Sequence, residues 1–207
     1  MLIQGSVGQP STTSIQPGTT PTIRQGQLGD VIVSELHGRY YETAYRRNLF
    51  SVATQAAVTL SAGLATATTG LILTNPTTST VNVVVNKVGW GVNTTPVAVI
   101  VLGLAFNNST TAVTQTTAIT ARNQFLGGAA PQCLAASSVT FPTAPILNTV
   151  LGTIDIGATT TAIHNTNFLD LEGAIVMPPG SYLAFYGSTA SAATSFFASI
   201  SWEEVPV

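Results

Sequence analysis

The chain has 207 residues, of which 7% are charged, with six Lys and Arg against eight Asp and Glu and a net charge of −2. Six cations are too few for a protein that neutralises the phosphates of duplex nucleic acid, and 45% hydrophobic residues at near-zero net charge exclude an ordinary disordered chain. The lone Cys133 excludes a disulfide scaffold, and the length suits one all-β domain.

Hydroxyls replace the missing charge: 33 Thr and 16 Ser make 49 of 207 residues. Thr is β-branched and suits a pleated, half-buried surface. A Thr, Ser, Ala and Asn surface also lacks the charged gatekeepers that keep sheet edges apart. That composition fits a subunit of an assembly better than a lone enzyme. Membrane insertion is not expected. A spanning helix needs about 20 apolar residues, and the best run, Pro96–Phe106, has 11. Met1–Pro10 lacks the basic region and apolar core of a secretory signal.

Residues 1–29 read as an extended arm, with Pro10, Pro17, Pro21 and five Gly. Arg24 is the only charge before Asp30. Residues 30–49 form a short helical, linking segment. Six of the chain's 14 charged residues fall between Asp30 and Arg47. Asp30 suits a helix N-cap, and Val33, Leu36, Tyr40 and Ala44 fall at helical spacing. Glu35 with Arg39 and Glu42 with Arg46 are i,i+4 pairs in the favourable order. The spacing predicts one helix, with Gly38 as its weak point.

Residues 50–207 read as strands and turns. Gly70–Asn75 is a short apolar run, and Val81–Val92 is rich in Val. Pro96–Phe106 is apolar on both faces, which predicts a strand covered by a second sheet and by a neighbour. Gly173–Met177 and Ser181–Gly187 flank Pro178-Pro179-Gly180, which predicts a hairpin on a type II turn. Phe196–Val205 alternates, with Phe196, Ala198, Ile200 and Trp202 on one face and Ser199, Ser201 and Glu203 on the other. Many short strands and little helix predict an all-β, jelly-roll-like β-sandwich with an extended N-terminal arm and one short helix.

Catalytic chemistry is hard to assemble from these residues. Cys133 would need His37 or His164 as a base. His164, Asp170 and Glu172 are a thin metal-ligand set. Asp155, Asp170, Glu172, Glu203 and Glu204 are the remaining carboxylates, and none sits in a recognisable motif. Gly127-Gly128 lacks the Lys of a phosphate loop. The expectation is a non-enzymatic chain without metal or cofactor. The residues singled out are aromatic and basic: Arg24, His37, Arg39, Tyr40, Tyr41, Tyr45, Arg46 and Arg47. Arg and Tyr are enriched in protein-interface hot spots. The same residues could also pack an amphipathic element on its own domain.

Leu28-Gly29-Asp30, Ser34-Glu35-Leu36-His37-Gly38-Arg39-Tyr40-Tyr41-Glu42, Asn48-Leu49-Phe50-Ser51 and Gln55-Ala56-Ala57-Val58-Thr59 form a distinctive block. With Thr69-Gly70-Leu71 and Asn75-Pro76 it resembles virion structural proteins of tailed bacteriophages, of the head decoration (cement) type. The resemblance implies a jelly-roll subunit, a homotrimer made in the host cytoplasm and bound to the capsid exterior. Its partners would be the major capsid protein and itself, with no nucleic acid or membrane. A tail or fibre component, or a host-recognition module on the same all-β trimer, is the alternative.

Overall fold

The computed structural model describes residues 38–94, 96, 98–154, 167–191 and 195–207, together with the backbone of two short strands. Those two, β1 (Gly5–Val7) and β2 (Ile23–Gln25), pair in parallel within a compact unit spanning Met1–Arg39. A second compact unit, Tyr40–Val207, holds everything else described below.

After helix α1 (Tyr41–Tyr45) come β3 (Leu49–Ala53), β4 (Ala67–Thr74), β5 (Val81–Val92) and β6 (Ile100–Asn108). Then follow β7 (Thr114–Ile119), β8 (Arg122–Asn123), β9 (Leu134–Thr140) and β10 (Ile146–Ile154). The last three are β11 (Asn167–Met177), β12 (Ser181–Gly187) and β13 (Phe196–Pro206).

Two antiparallel sheets result, one ordered β11-β5-β13-β3-β8 and the other β10-β6-β12-β4-β9-β7. Their pairings are nested: β3 with β13, β4 with β12, β5 with β11, β6 with β10. That is the winding of a jelly roll, one long hairpin folded over itself into two sheets. The remaining strands, β7, β8 and β9, are inserted between β6 and β10 and extend both sheets on one side. The sandwich expected from composition and turn spacing is therefore present.

Alternation fixes the core. Leu71, Leu73, Val83, Val85, Val88, Ile100, Leu102, Leu104, Leu183, Ile200 and Trp202 meet between the sheets. Their neighbours along each strand face outward, as period 2 requires. A smaller cluster lies on the outer face of the six-stranded sheet, where the Phe141 ring stacks on Tyr182 at 4.5 Å and joins Ile72 and Val139. Thr143 takes the Tyr182 hydroxyl on its carbonyl at 2.7 Å.

Three expectations need correction. Among the described residues the helix spans Tyr41–Tyr45; Gly38–Tyr40 are not helical, so it does not run unbroken through Gly38, and residues 30–37 lie outside the described residues. It buries no side chain, and no side chain caps its N-terminus. Arg47, at a left-handed φ of 66°, turns the chain into β3. The expected pair Glu42–Arg46 does form, at 2.7 Å.

The strand expected from Pro96 begins only at Ile100, and Val97 lies outside the described residues. Its outward face is partly covered by the chain itself. Ala105 is buried, and Leu147 Cδ1 occupies the space a side chain at Gly103 would need.

Pro178-Pro179-Gly180 is a type II turn but not a hairpin. Gly180 has φ 87°, and Ser181 N–H donates to Pro178 O at 3.1 Å. The strands it joins enter different sheets, β11 pairing β5 and β12 pairing β4 and β6. Asn75 explains the separation. Its amide donates to Val81 O at 2.8 Å and Met177 O at 3.0 Å, while its backbone pairs with Gly180 and Ser181. The turn is thereby tied to the start of β5. Asn75→Ala removes a donor from both carbonyls, leaving Val81 O only the longer Ser79 hydroxyl bond at 3.3 Å beyond any ladder bonds, and is expected to cost about 1–3 kcal/mol, read as a lower urea midpoint.

Candidate interaction surfaces

The structure distributes the aromatic and basic residues as follows. Arg24 is in β2, with only its backbone described, and His37 lies outside the described residues. Arg39 is exposed in the turn before the helix. Tyr41 and Tyr45 are exposed and stack on each other, centroids 5.8 Å apart, as i,i+4 neighbours on one helix face. Arg46 is held by Glu42.

Tyr40 reaches across to the outer strands of the five-stranded sheet. Its hydroxyl donates to Asp170 at 3.1 Å, and Lys87 Nζ sits 4.8 Å from its ring centroid. Lys87 and Asp170 are register partners with charged atoms 3.8 Å apart. They end a polar row that crosses the outer face of the sheet through Arg122, Ser51 and Ser201. The next row, Ala53, Ser199, Gly89 and Phe168, is small and apolar. It floors a groove of about 380 Å³ walled by Phe168 and Phe197. A Cβ at Gly89 would lie 2.7 Å from Ser199 Oγ and 2.8 Å from the Phe168 ring, so those side chains would have to shift.

The opposite edge of that sheet carries a feature that sequence reading missed. Arg47 covers the Phe125 ring at 4.7 Å. Asn123, buried, donates from its amide to Arg47 O at 2.7 Å and Ala129 O at 3.2 Å, and accepts Phe125 N–H at 2.8 Å. Gly128 N–H closes a turn onto Phe125 O at 2.8 Å, with Gly127 at φ 84°. Leu126 sits at the corner of this braced turn, 90% exposed. The spacing from Arg47 to Phe125 gives no local signal of their contact.

The sheet edges differ. Between Asp170 and Ile175, β11 has four residues where β5 has one, Asn86, and Glu172 takes a left-handed φ of 53°. Such a bulge, with two acids beside it, discourages strand pairing. Edge strand β10 is also bulged, between Leu147 and Thr149 and between Val150 and Gly152, but it lacks charge. Its nine residues include no charge and no Pro, and Ile146 and Val150 are 64% and 61% exposed.

The other chemical groupings lie only partly in the described residues. Cys133 is buried, its thiol donating to Thr74 O at 3.3 Å. Burial, and then the Glu204 charge, push that thiol well above its ordinary pKa, so it stays protonated. His164 and Asp155 lie outside the described residues. Adjacent Glu203 and Glu204 point to opposite sides of β13 and cannot act on one substrate. Glu204 faces inward and accepts Gln132 N–H at 3.1 Å, Cys133 N–H at 2.9 Å and the Trp202 indole N–H at 3.4 Å. Among the described residues no group of three His, Cys, Asp or Glu could hold a metal, and no helix is long and apolar enough to cross a membrane.

Glu203 lies on the outer face, where partial burial raises its pKa. The folded state therefore holds the proton more tightly than the unfolded chain does. Stability from this group is present below the unfolded carboxylate pKa and lost as pH climbs through the raised folded value. Glu203→Gln removes that loss. Its thermal midpoint is expected to match wild type in acid and exceed it at neutral pH, as a pH series of melts would read.

No family model, curated protein or solved structure matches this chain.

Proposed function

We propose that this protein is a non-enzymatic virion structural subunit, of the kind that decorates the outside of a tailed-phage head and braces the shell. One observation carries the reading: a jelly-roll sandwich leaves the nine-residue edge strand β10 uncharged, with Ile146 and Val150 open to solvent. Two bulges interrupt its ladder, but no charge keeps a partner away from its apolar side chains. The hydroxyl-rich, charge-poor composition favours the same class.

On this reading the subunit works by area and valency. Several weak contacts per oligomer, engaged together, make detachment rare. Its partners are the major capsid protein and its own copies in a trimer. Quantitative mass spectrometry of purified particles tests it. Hundreds of copies, near a simple ratio to the major capsid protein, are expected. A few to a few dozen copies would move the protein to the tail or fibres, and absence from particles would overturn the virion reading.

A further inference from the structure

We propose that the open side of β3 binds an acidic oligosaccharide, a chain of sugar rings that carries carboxylates. The site is a property of the isolated chain and does not depend on the virion reading. β8 pairs only with Phe50 and Ser51, so from Val52 onward β3 has no strand neighbour on that side among the described residues. A cleft of about 580 Å³ lies there, between β3 and the end of β7. Val52, Val58 and Ile119 give it an apolar lining, while Ser51, Thr120, Ser137 and Arg122 add three hydroxyls and a guanidinium. Among the described residues none of those four side chains has a hydrogen-bond or ion-pair partner. The cleft is continuous with the groove walled by Phe168 and Phe197, because Ala53 and Thr54 line both.

Each part of this surface selects the same chemistry. A guanidinium without a partner matches a carboxylate, which its fork of donors can grip at two oxygens. The acids on the same outer face do not neutralise it: Asp170 is held by Lys87, and Glu203 forms no ion pair. Hydroxyls set beside an apolar lining match a sugar ring, with hydroxyls at its rim and C–H groups on its faces. The Phe168 and Phe197 rings, both exposed, offer a flat apolar surface to a further ring. β8 and β11 are four strand spacings apart, about 19 Å, so the occupant is longer than one monosaccharide. An acidic peptide is the competing occupant, and it would add to the open side of β3 as a strand. Gln55 stands against it. Thr54 N–H bonds to Ala198 O across the ladder, which turns Ala53 O toward the open side. The Gln55 amide donates to that carbonyl at 3.0 Å and takes the acceptor an added strand would need.

Titration calorimetry of the full chain with tetragalacturonate and with sialyllactose tests the site. Tetragalacturonate is expected to bind, and its methyl ester, which keeps the rings and loses the charge, to bind about tenfold more weakly. Arg122→Gln is expected to weaken the acid form by about the same factor and to remove the salt dependence of binding. Its thermal midpoint should match wild type, since Arg122 is exposed. Phe197→Ala should weaken the acid and the ester equally. Arg47→Gln, outside both clefts, should leave binding unchanged. Binding of neither tetragalacturonate nor sialyllactose would overturn the proposal. An equal loss from Arg47→Gln would also overturn it, because any surface cation would then serve. A tetra-aspartate peptide that binds more tightly than either sugar would assign the cleft to a peptide and overturn it as well.

Discussion

Trp202→Ala is expected to lower stability by about 3–5 kcal/mol. The indole is fully buried at 0% exposure, within the central cluster between the sheets. Phe50, its register partner on β3, stacks against it at 6.1 Å between centroids. The substitution removes the largest side chain of the core and leaves a cavity among Val, Leu and Ile side chains whose rigid strands cannot collapse into it. A domain of this kind holds about 5–15 kcal/mol in total, so the loss takes a third or more of it. Urea unfolding at constant protein concentration reads the effect. An unchanged slope with a lower midpoint is the expected signature, and a shift under 1 kcal/mol would mean that the two sheets do not meet at this residue.

Glu204→Ala is expected to cost about 3–5 kcal/mol, by a different route. Little apolar contact is lost. Two backbone N–H groups and the indole N–H lose a carboxylate acceptor, the Cys133 N–H and the indole N–H in buried positions. Glu204→Gln keeps one acceptor oxygen but also brings a donor that faces other donors, so it should recover only part of the loss. Because the carboxylate touches Trp202, the two substitutions will not add. A double-mutant cycle is expected to show a coupling of about 0.5–3 kcal/mol, and strict additivity would mean that the 3.4 Å indole contact carries no energy.

Both residues bear on what the sequence discloses. The inward alternation Phe196, Ala198, Ile200, Trp202 is plain in the residues and holds in β13. Extended by two positions, the same rule places Glu204 inside, so its burial was legible. Its three donors were not, because two of them come from residues 132 and 133, some 70 positions away in the chain. Val81–Val92 forms one strand with the expected limits, since a run of Val has no competing conformation.

The turn at 178–180 teaches the opposite lesson. Pro and Gly determine local dihedrals and nothing about which strands pair. The pairing was settled by Asn75, whose bond to Met177 spans 102 residues. In the same way the i,i+4 stack of Tyr41 and Tyr45 was readable, while the contact of Arg47 with Phe125 was not. Short-range order is written in spacing; the edges of the sheets are assembled from distant pieces.

The nested pairing of strands has a consequence for how the protein is made. β13 is the last strand in chain order, yet it lies between β5 and β3 in its sheet and hydrogen-bonds to both. Until residues 196–206 have left the ribosome, β3 has no central partner, Phe50 has no indole to stack on, and half of the sandwich core is open. Contacts that join residues about 150 apart form slowly, and the chain must reach them without its exposed strands pairing elsewhere. Folding of the sandwich therefore waits until β13 is available.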